Sequence, residues 1–289
     1  MHAEAAPAKL NLSLALVGRR PDGFHDLVSL VAPIELADEL TFTPDGAWSI
    51  ACDDPSVPAD ASNLVLKAAE AYARRRPDCP RGRFFLTKRV PHGAGLGGGS
   101  SDAAAALRLL DRASGSPQGA DFLEAVAGEV GSDCAFFVRG VPAVMRGRGE
   151  RLEPLAPGPR RALAGRRVLL IKPPFGVTTP EAYSLFVRYG TLRSPEQAEA
   201  LLEAWMARPE ADPTALGNDL EGPVFRKFIA LPVGLESAAA AVRQPFRMTG
   251  SGSACFCLTR GEPDVDALRA ALRRCWGPGA WVVETRIAS

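Results

Sequence analysis

The N-terminal region alternates apolar and polar residues with a period of two. Leucine occupies positions 10, 12, 14 and 16, and this spacing predicts a β-strand over residues 10–17 with the leucines on one face. Glycine, proline and an Asp-Gly pair within residues 18–23 predict a turn, and a second apolar run covers residues 27–36. We therefore expect the protein to open with antiparallel strands.

Helical periodicity begins at Ser62. Apolar residues then recur at intervals of three and four along one face, at Val65, Ala68, Ala69 and Tyr72. Further helices are predicted at residues 102–113, 121–130, 195–207, from 218 and at 265–275, and strands at 83–90, 167–171, 254–258 and 281–287. Because this mixed pattern carries antiparallel signals at both ends, the sequence predicts an α+β fold rather than a doubly wound sheet.

Length and charge limit the possible functions. The chain has 289 residues with 34 basic and 33 acidic side chains, a net charge of +1. This balance argues against a nucleic-acid surface carried by gross charge. The length predicts two domains or lobes, and a proline-rich stretch at residues 154–159 indicates where they divide. We expect an N-terminal lobe over residues 1–153 and a C-terminal lobe over residues 154–289.

The sequence indicates neither a membrane segment nor an exported protein. No uncharged stretch approaches the ~18 residues that a membrane helix requires, and residues 1–4 lack the basic start of a signal peptide. None of the six cysteines forms a Cys-x-x-Cys pair, so we expect no zinc site and no redox motif. The sequence favours a cytoplasmic protein with reduced thiols.

The strongest chemical signal is a glycine-rich loop. Five of the seven residues from Gly93 to Gly99 are glycine, and two serines and an alanine-rich helix follow. Glycines let successive backbone N–H groups turn toward one point, and a helix N-terminus adds unpaired N–H groups and a positive dipole end. The alternative is a tight strand-to-helix connection capped by Ser100 or Ser101. Because five glycines exceed what a cap requires, the loop predicts a phosphate-binding site.

Other phosphate-loop and hydrolase motifs fit less well. The loop lacks the Gly-Lys-Ser/Thr of a Walker A motif. Glycines 93, 95 and 98 match a dinucleotide-binding pattern, but the acidic residue that should end the next strand falls in a region predicted as helix and loop. The sequence has no Gly-x-Ser-x-Gly motif to indicate a serine hydrolase.

Residues 91–101, Pro-His-Gly-Ala-Gly-Leu-Gly-Gly-Gly-Ser-Ser, closely resemble the central motif of the GHMP small-molecule kinases. Residues 7–12 and 249–254 are similar to the N-terminal motif and the C-terminal glycine loop of that superfamily. Within it, the branch of 4-diphosphocytidyl-2-C-methyl-D-erythritol kinases fits best, through residues 7–12, 18–25, 131–137, 147–150 and 218–221. The resemblance therefore covers nearly the whole chain.

The resemblance implies a two-lobed α+β kinase with its ATP and acceptor sites between the lobes. The implied reaction is ATP-dependent phosphorylation of the 2-hydroxyl of 4-diphosphocytidyl-2-C-methyl-D-erythritol, giving the 2-phosphate and ADP in the non-mevalonate isoprenoid precursor pathway. ATP would act with Mg²⁺, whose ligand residues are not assigned. The expected partner is a small-molecule substrate, with no nucleic acid and no membrane, and the protein is expected to be a monomer or a weak homodimer.

The resemblance also assigns a nucleotide site. Its phosphate cradle comprises Pro91, His92, Gly93, Ala94, Gly95, Leu96, Gly97, Gly98, Gly99, Ser100 and Ser101. Asn63 would line the adenine pocket, although a plain helix-start role fits its position equally well. His92 stands where the family commonly has Met or Ile, and Asp102 is one of two residues that the family accepts at its position.

Lys9 and Asp133 are the implied catalytic pair on the acceptor side. Lys9 would stabilise the hydroxyl as it becomes an alkoxide, and Asp133 would accept the hydroxyl proton or orient the hydroxyl group. From the residues alone, Lys9 fits a strand-end lysine with its ammonium in water, and Asp133 fits a helix N-cap.

Asn11, Phe24 and His25 are implied to bind the acceptor. An aromatic face and an imidazole edge suit a pyrimidine, because the ring stacks on the base and the edge forms hydrogen bonds with it. Composition alone also fits a hairpin tip with an aromatic cap. Phe24 stands where the family usually has tyrosine, so one hydroxyl contact would be missing.

Two other functions stay open. One is a GHMP kinase for a different small alcohol, such as homoserine or a mevalonate derivative. The presence of Phe24 and His25 and the pair of Lys9 and Asp133 argue against it. The other is a nucleotide-binding module without catalysis, which would have no need for Lys9 and Asp133 together.

Overall fold

The computed structural model describes residues 2–289 and groups them into two compact units whose segments interleave along the chain. Unit 1 consists of the residues up to Lys9 together with Pro33–His92 and Gly97–Val141. Unit 2 consists of Leu10–Ala32, Gly93–Leu96 and Pro142–Ser289. The predicted lobe boundary after residue 153 stays a prediction, and unit 2 contains residues on both sides of it.

Helices and antiparallel strands are mixed along the chain, and the predicted α+β class is confirmed. The strands of the described residues are β1 (His2–Asn11), β2 (Ala15–Arg19), β3 (His25–Pro44), β4 (Ser49–Cys52), β5 (Gly82–Thr87), β6 (Ala143–Gly147), β7 (Arg151–Pro154), β8 (Arg167–Lys172), β9 (Arg247–Met248), β10 (Cys255–Leu258) and β11 (Trp281–Arg286). The helices are α1 (Leu64–Arg75), α2 (Gly98–Ala113), α3 (Ala120–Val130), α4 (Cys134–Arg139), α5 (Pro157–Leu163), α6 (Thr179–Tyr189), α7 (Pro195–Met206), α8 (Glu221–Lys227), α9 (Ala230–Val242) and α10 (Val265–Trp276), with a 3₁₀ helix at Pro213–Leu216. Among residues 2–289, none of these helices has both the length and the apolar composition that crossing a bilayer demands.

Unit 1 combines part of a sheet with four helices. The C-terminal part of β3 pairs antiparallel with β5, which pairs parallel with β4. Side chains along β5 alternate between buried and exposed, and Phe84 packs on Phe42 of β3. This period of two is expected for a sheet with one covered face. Helices α1 to α4 pack on one another, and the alanine-rich face of α2 is buried among them.

The start of α1 shows how the sequence sets a helix boundary. Asn63, rather than Ser62, caps the helix, because its Oδ1 accepts a hydrogen bond from the N–H of Val65 at 2.9 Å. The predicted apolar face is buried, with Val65 and Tyr72 fully enclosed. Two arginines occupy the last turn, where the helix dipole favours positive charge.

Unit 2 contains two sets of antiparallel strands. In the first, β2 pairs with the N-terminal part of β3, which pairs with β6, and β6 pairs with β7. The second is a four-stranded sheet in the order β11-β8-β10-β9. Its central strands, β8 and β10, contribute a continuous apolar core. The predicted antiparallel opening of the chain is therefore confirmed.

The strand predicted over residues 10–17 is interrupted, and this part of the prediction is wrong. β1 ends at Asn11 and β2 begins at Ala15, because Leu14 pairs with a distant segment of unit 2. The N–H of Leu14 donates to the carbonyl of Gly217 at 2.9 Å, and its carbonyl accepts from the N–H of Asp219 at 2.8 Å. The leucines are all buried, as the pattern requires, but Asn11 and Ser13 are buried too.

Other boundaries also shift. α2 begins at Gly98 rather than at residue 102, and the helix expected from residue 218 begins at Glu221. The periodicity does not predict α5, α6 and α9, nor the short strands β4, β6 and β7. For α9 the reason is local, because Pro232 and Gly234 within it are helix-breaking signals.

We predict that Gly234→Ala destabilises the protein although alanine is the better helix former. A Cβ atom at this position would overlap the indole ring of Trp276 in α10, which also donates a hydrogen bond to the carbonyl of Ala230 at 2.8 Å. Overpacking of this kind costs about 1–3 kcal/mol. Gly128→Ala is the matched control, since nothing lies within 4 Å of its added Cβ, and it should stabilise α3 by up to ~1 kcal/mol. Thermal unfolding followed by circular dichroism compares them, and an unchanged melting temperature for Gly234→Ala would contradict the packing argument.

Candidate active site

Lys9 lies against the glycine-rich loop inside unit 1. It is near the end of β1, and only 4% of the residue is exposed. A Cβ atom on Gly97 would lie 3.1 Å from Cγ of Lys9 and 2.7 Å from the ring of Phe137. Gly97 also has a positive φ of 73°, a conformation that other residues adopt only with strain. The loop backbone therefore passes directly over the lysine stem, where no side chain would fit.

The ammonium of Lys9 is electrostatically coupled to Asp133. Burial lowers the pKa of Lys9 below its ordinary value, and the negative charge of Asp133 opposes this shift. The alternative that Lys9 is a strand-end lysine with its ammonium in water is therefore wrong. The structure brings together the two residues that the resemblance pairs.

Asp133 does not cap the helix that follows it. It occupies the position directly before α4, but its side chain makes no capping hydrogen bond. Next to it, burial raises the pKa of the Cys134 thiol to about 11, against the effect of a hydrogen bond with Ser100. That hydrogen bond links the start of α4 to the first turn of α2. The side chain of Asp133 is thus not engaged as an N-cap.

The second half of the glycine-rich loop forms the start of a helix. Gly97 is the residue before α2, which begins at Gly98 and has no side-chain cap. The alternative of a cap by Ser100 or Ser101 is therefore wrong. An uncapped helix start leaves its first N–H groups without carbonyl partners and adds a positive dipole end. Both features suit an anion such as phosphate.

The first half of the loop lies in unit 2 and contacts the C-terminal glycine loop. The N–H of Ala254 donates to the carbonyl of Ala94 at 3.1 Å. A Cβ atom on Gly95 would lie 2.6 Å from the carbonyl oxygen of Thr249. Two glycine-rich segments that are distant in sequence, residues 93–96 and 249–254, are thus in direct backbone contact within unit 2, and we call them the backbone layer.

Asn11 contacts the backbone layer. Its N–H donates to Oγ1 of Thr249 at 2.9 Å, and its Nδ2 donates to Oγ of Ser29 at 2.7 Å. Asn218 also contacts these residues, since its Nδ2 donates to the carbonyls of Met248 and Gly250 at 2.9 and 2.8 Å. The start of the C-terminal glycine loop is therefore held by the backbone N–H of Asn11 at Thr249 and by the side-chain amide of Asn218 at Gly250.

His25 is enclosed by aromatic rings in unit 2. Tyr183 and Phe186 lie with their ring centroids 5.4 and 5.7 Å from the imidazole. Burial and the positive charge of Arg19 lower the pKa of His25, which favours the neutral imidazole. A neutral imidazole offers one donor and one acceptor nitrogen.

Phe24, in contrast, is 55% exposed. The guanidinium carbon of Arg148 lies 5.1 Å from its ring centroid, a cation–π contact that holds the ring in place. Sequence reasoning did not identify Arg148, Tyr183 or Phe186 as neighbours of this pair. A usable signal was present for the last two, because aromatic residues three apart share one face of a helix.

Asn63 makes the contacts of a helix start. Besides capping α1, it donates from Nδ2 to the carbonyl of Pro58 at 2.6 Å. These are the contacts of the helix-start alternative, and the adenine-lining role stays a prediction.

The chain is similar to known small-molecule kinases. A model of the GHMP kinases N terminal domain matches residues 63–141. Over 299 residues the chain is 39% identical to the 4-diphosphocytidyl-2-C-methyl-D-erythritol kinase of Synechococcus sp. (strain CC9902). This match covers 97% of this chain and 96% of the relative. A crystal structure of 4-(cytidine 5'-diphospho)-2C-methyl-D-erythritol kinase matches with a TM-score of 0.76 and 36% identity, covering 99% of both chains. The mevalonate kinase of Methanococcus jannaschii shares the fold, with a TM-score of 0.72, 10% identity and coverage of 100% of this chain and 98% of that chain.

We predict that Gly97→Ala destabilises the protein more than Gly93→Ala. Both positions have positive φ, 73° and 64°, so both substitutions cost about 1–2 kcal/mol of backbone strain. Only at Gly97 does the added Cβ meet Phe137 and Lys9, whereas nothing lies within 4 Å at Gly93. The additional cost should be about 1–3 kcal/mol, measured as the difference between the two variants in urea denaturation. Equal losses would show that the loop is not pressed against Lys9.

Proposed function

The chain belongs to the 4-diphosphocytidyl-2-C-methyl-D-erythritol kinase family of the GHMP kinases, and we propose that it transfers the γ-phosphoryl group of ATP to the 2-hydroxyl of that acceptor. It is an ATP-dependent phosphotransferase, and its proposed products are the 2-phosphate and ADP, in the non-mevalonate isoprenoid precursor pathway. One observation carries the proposal. Lys9 is buried, interacts electrostatically with Asp133, and lies against Gly97, the residue directly before α2.

We propose that the nucleotide's phosphates bind to residues 91–101. The unpaired N–H groups at the start of α2 and its positive dipole end support this assignment. The close packing around Gly95 and Gly97 supports it as well, because only a loop without side chains lets phosphate reach the backbone. Asn63 is proposed to lie at the adenine pocket.

Lys9 and Asp133 would act on the hydroxyl group that receives the phosphoryl group. As the hydroxyl oxygen attacks the γ-phosphorus, the bond from this phosphorus to the bridging oxygen breaks and ADP leaves. The hydroxyl proton passes to Asp133. A carboxylate is a weak base toward an alcohol, so Asp133 takes the proton late or chiefly orients the hydroxyl. Lys9 stabilises the charge that develops on the oxygens, and its burial strengthens this interaction.

The acceptor's cytosine is proposed to bind at Phe24 and His25. The exposed ring of Phe24 offers a face for stacking, and the neutral imidazole of His25 offers one donor and one acceptor to the edge of the base. The aromatic enclosure by Tyr183 and Phe186 fixes the imidazole in place. Asn11, next to the C-terminal glycine loop, is proposed to bind a more polar part of the acceptor.

Mg²⁺ is proposed to bind with ATP, where it neutralises charge on the β- and γ-phosphates. Phosphate oxygens and water are the ligands that this hard cation prefers. Within residues 2–289, no three or more His, Cys, Asp or Glu side chains are grouped as a metal site. A cytoplasmic location and a monomeric or weakly dimeric state are further proposals drawn from the sequence.

We predict that Asp133→Asn lowers kcat by about 10²–10⁴-fold, the usual contribution of a general acid or base. Binding of an ATP analogue, measured by calorimetry, should change by no more than a few fold, since asparagine keeps the shape of the side chain. Asp121→Asn is the control, because this carboxylate of unit 1 is 95% exposed and should be dispensable. Retained kcat in Asp133→Asn would remove this residue from the mechanism.

We predict that Phe24→Ala and His25→Ala raise KM for the cytidine acceptor and leave KM for ATP nearly unchanged. Loss of base stacking worth about 1–3 kcal/mol corresponds to roughly 5- to 150-fold. Phe85→Ala is the control, since Phe85 is an exposed ring on β5.

The same assay separates this function from its rivals. The truncated acceptor 2-C-methylerythritol 4-phosphate, homoserine and mevalonate should all be poor substrates, because they lack the base that orients the hydroxyl. Comparable kcat/KM for truncated and cytidine-linked acceptors would contradict the proposed acceptor and favour another GHMP kinase activity. Nucleotide binding without any acceptor-dependent ADP release would favour a binding module.

A further inference from the structure

A buried cluster of three charged side chains lies behind the first turn of α2, and the proposed reaction does not use it. The cluster consists of Asp38 in β3, Lys88 after β5 and Asp102 in α2. Their side chains are 0%, 7% and 4% exposed. Lys88 contacts Asp38, and its Nζ lies 3.0 Å from Oδ2 of Asp102. One cation thus faces two acids in an environment where unpaired charge is costly.

The cluster ties together the segments on both sides of the glycine-rich loop in unit 1. Oδ1 of Asp38 accepts hydrogen bonds from the N–H groups of Arg89 and Val90, at 2.6 and 2.8 Å. On the other side, Nζ of Lys88 lies 3.3 Å from where a Cβ on Gly98 would be. The ammonium therefore rests directly against the residue that begins α2. Movement of any member would shift the N–H groups proposed to bind phosphate.

The two acids are not equivalent. Asp38 has two backbone N–H donors in addition to Lys88, whereas Asp102 has Lys88 as its donor and also faces the carboxyl group of Asp38. Oδ1 of Asp102 is buried and has no hydrogen-bond partner among residues 2–289. Burial raises the pKa of Asp102 to about 7, Lys88 opposes this, and Asp38 adds to it. Asp102 is thus the member whose charge changes near neutral pH.

Other elements bring one pair of opposite charges to the start of α2, Lys9 of β1 against Gly97 and Asp133, which is electrostatically coupled to Lys9. From α4, Cys134 is adjacent to Ser100, and its pKa of about 11 keeps the thiol neutral. From α1, the buried side chains are apolar except Tyr72, which donates to Asp111 farther along α2 at 2.9 Å. The proton occupancy of Asp102 therefore responds mainly to Lys88, to Asp38 and to any ligand at the start of α2.

We propose that Asp38, Lys88 and Asp102 are positioning residues for the nucleotide-binding turn of α2, and that Asp102 takes up a proton when the nucleotide's phosphates bind. The inference rests on the proposed nucleotide site. Added negative charge near a carboxylate disfavours its ionised form, so bound phosphate raises the affinity of Asp102 for a proton. The proton comes from solvent and binds to the carboxyl group, whose Oδ1 is the oxygen without a partner. No other bond changes.

Linkage gives the sign of the effect. If binding the nucleotide takes up a proton, nucleotide affinity must fall as pH rises through and above about 7, by at most tenfold per pH unit for one proton. Below pH 6, Asp102 is already protonated in the free protein, and the dependence should disappear. The nucleotide also titrates in this range. The contribution of Asp102 is therefore the difference in the pH dependence of nucleotide affinity between the native chain and Asp102→Asn. The amide of this variant keeps the shape of the side chain but cannot titrate.

The first experiment is calorimetry with Mg²⁺ and a non-hydrolysable ATP analogue at pH 7.5, in two buffers of different ionisation enthalpy. The native chain should take up several tenths of a proton more than Asp102→Asn. Between pH 6.5 and 8.5, its Kd for the analogue should rise several fold more than that of the variant. Equal proton uptake by the two proteins would overturn the proton-coupling inference while leaving the proposed function intact. Failure of the native chain to bind the analogue would overturn both.

A second experiment tests positioning. Lys88→Met leaves two buried acids without their cation and should raise KM for ATP at least tenfold, with KM for the acceptor nearly unchanged. Adding Asp102→Asn to this variant removes one of the acids and should restore part of the loss in KM for ATP. Loss of stability alone would lower the amount of active enzyme and would leave KM for ATP unchanged. An unchanged KM for ATP in Lys88→Met, or no restoration in the double variant, would overturn the positioning role. The calorimetric comparison remains decisive if Lys88→Met does not fold.

Discussion

The close approach of the loop backbone to Lys9 at Gly97 is the constraint on which the candidate site depends. Removing an ammonium from water is unfavourable, and here the space around its stem is filled by backbone and by the ring of Phe137 rather than by solvent. The same glycine directly precedes α2. Gly97 therefore has two effects. Its lack of a side chain lets the backbone exclude solvent from the stem of Lys9, and its position fixes where the first N–H groups of α2 lie.

Contiguous, local signals could be predicted from the sequence. The glycine-rich loop, the period of α1 and the antiparallel opening depend on neighbouring residues, so their pattern is visible in a short window. The resemblance to a known motif pointed to Lys9 and Asp133. Their electrostatic interaction, which depends on the burial of Lys9, is not visible in any short stretch of sequence. The break between β1 and β2 could not be predicted, because it depends on pairing of Leu14 with a segment about two hundred residues away.

Electrostatic features were the least predictable. Lys88 is 50 residues from Asp38 and 14 from Asp102, and each looks like an ordinary surface charge when read alone. Their proximity follows from the pairing of β3 with β5 and from the entry of the chain into α2. The aromatic enclosure of His25 similarly needs α6, far along the chain. Charge state depends on burial and neighbours, which exist only in the folded chain.

The interleaved segments of the two units have a consequence for the order in which the protein can form during synthesis. The chain of unit 1 is complete once residue 141 has been made, but Leu10–Ala32 belongs to a unit whose remaining segments come mostly from Pro142–Ser289. This early segment, rich in apolar side chains, must wait for partners that are made only after unit 1, in β6 and around Gly217 and Asp219. Such non-local pairing slows folding and leaves strand edges exposed in the meantime. A chain released before β6 would therefore retain a complete first unit together with an apolar segment that lacks its partner strand and is prone to aggregate.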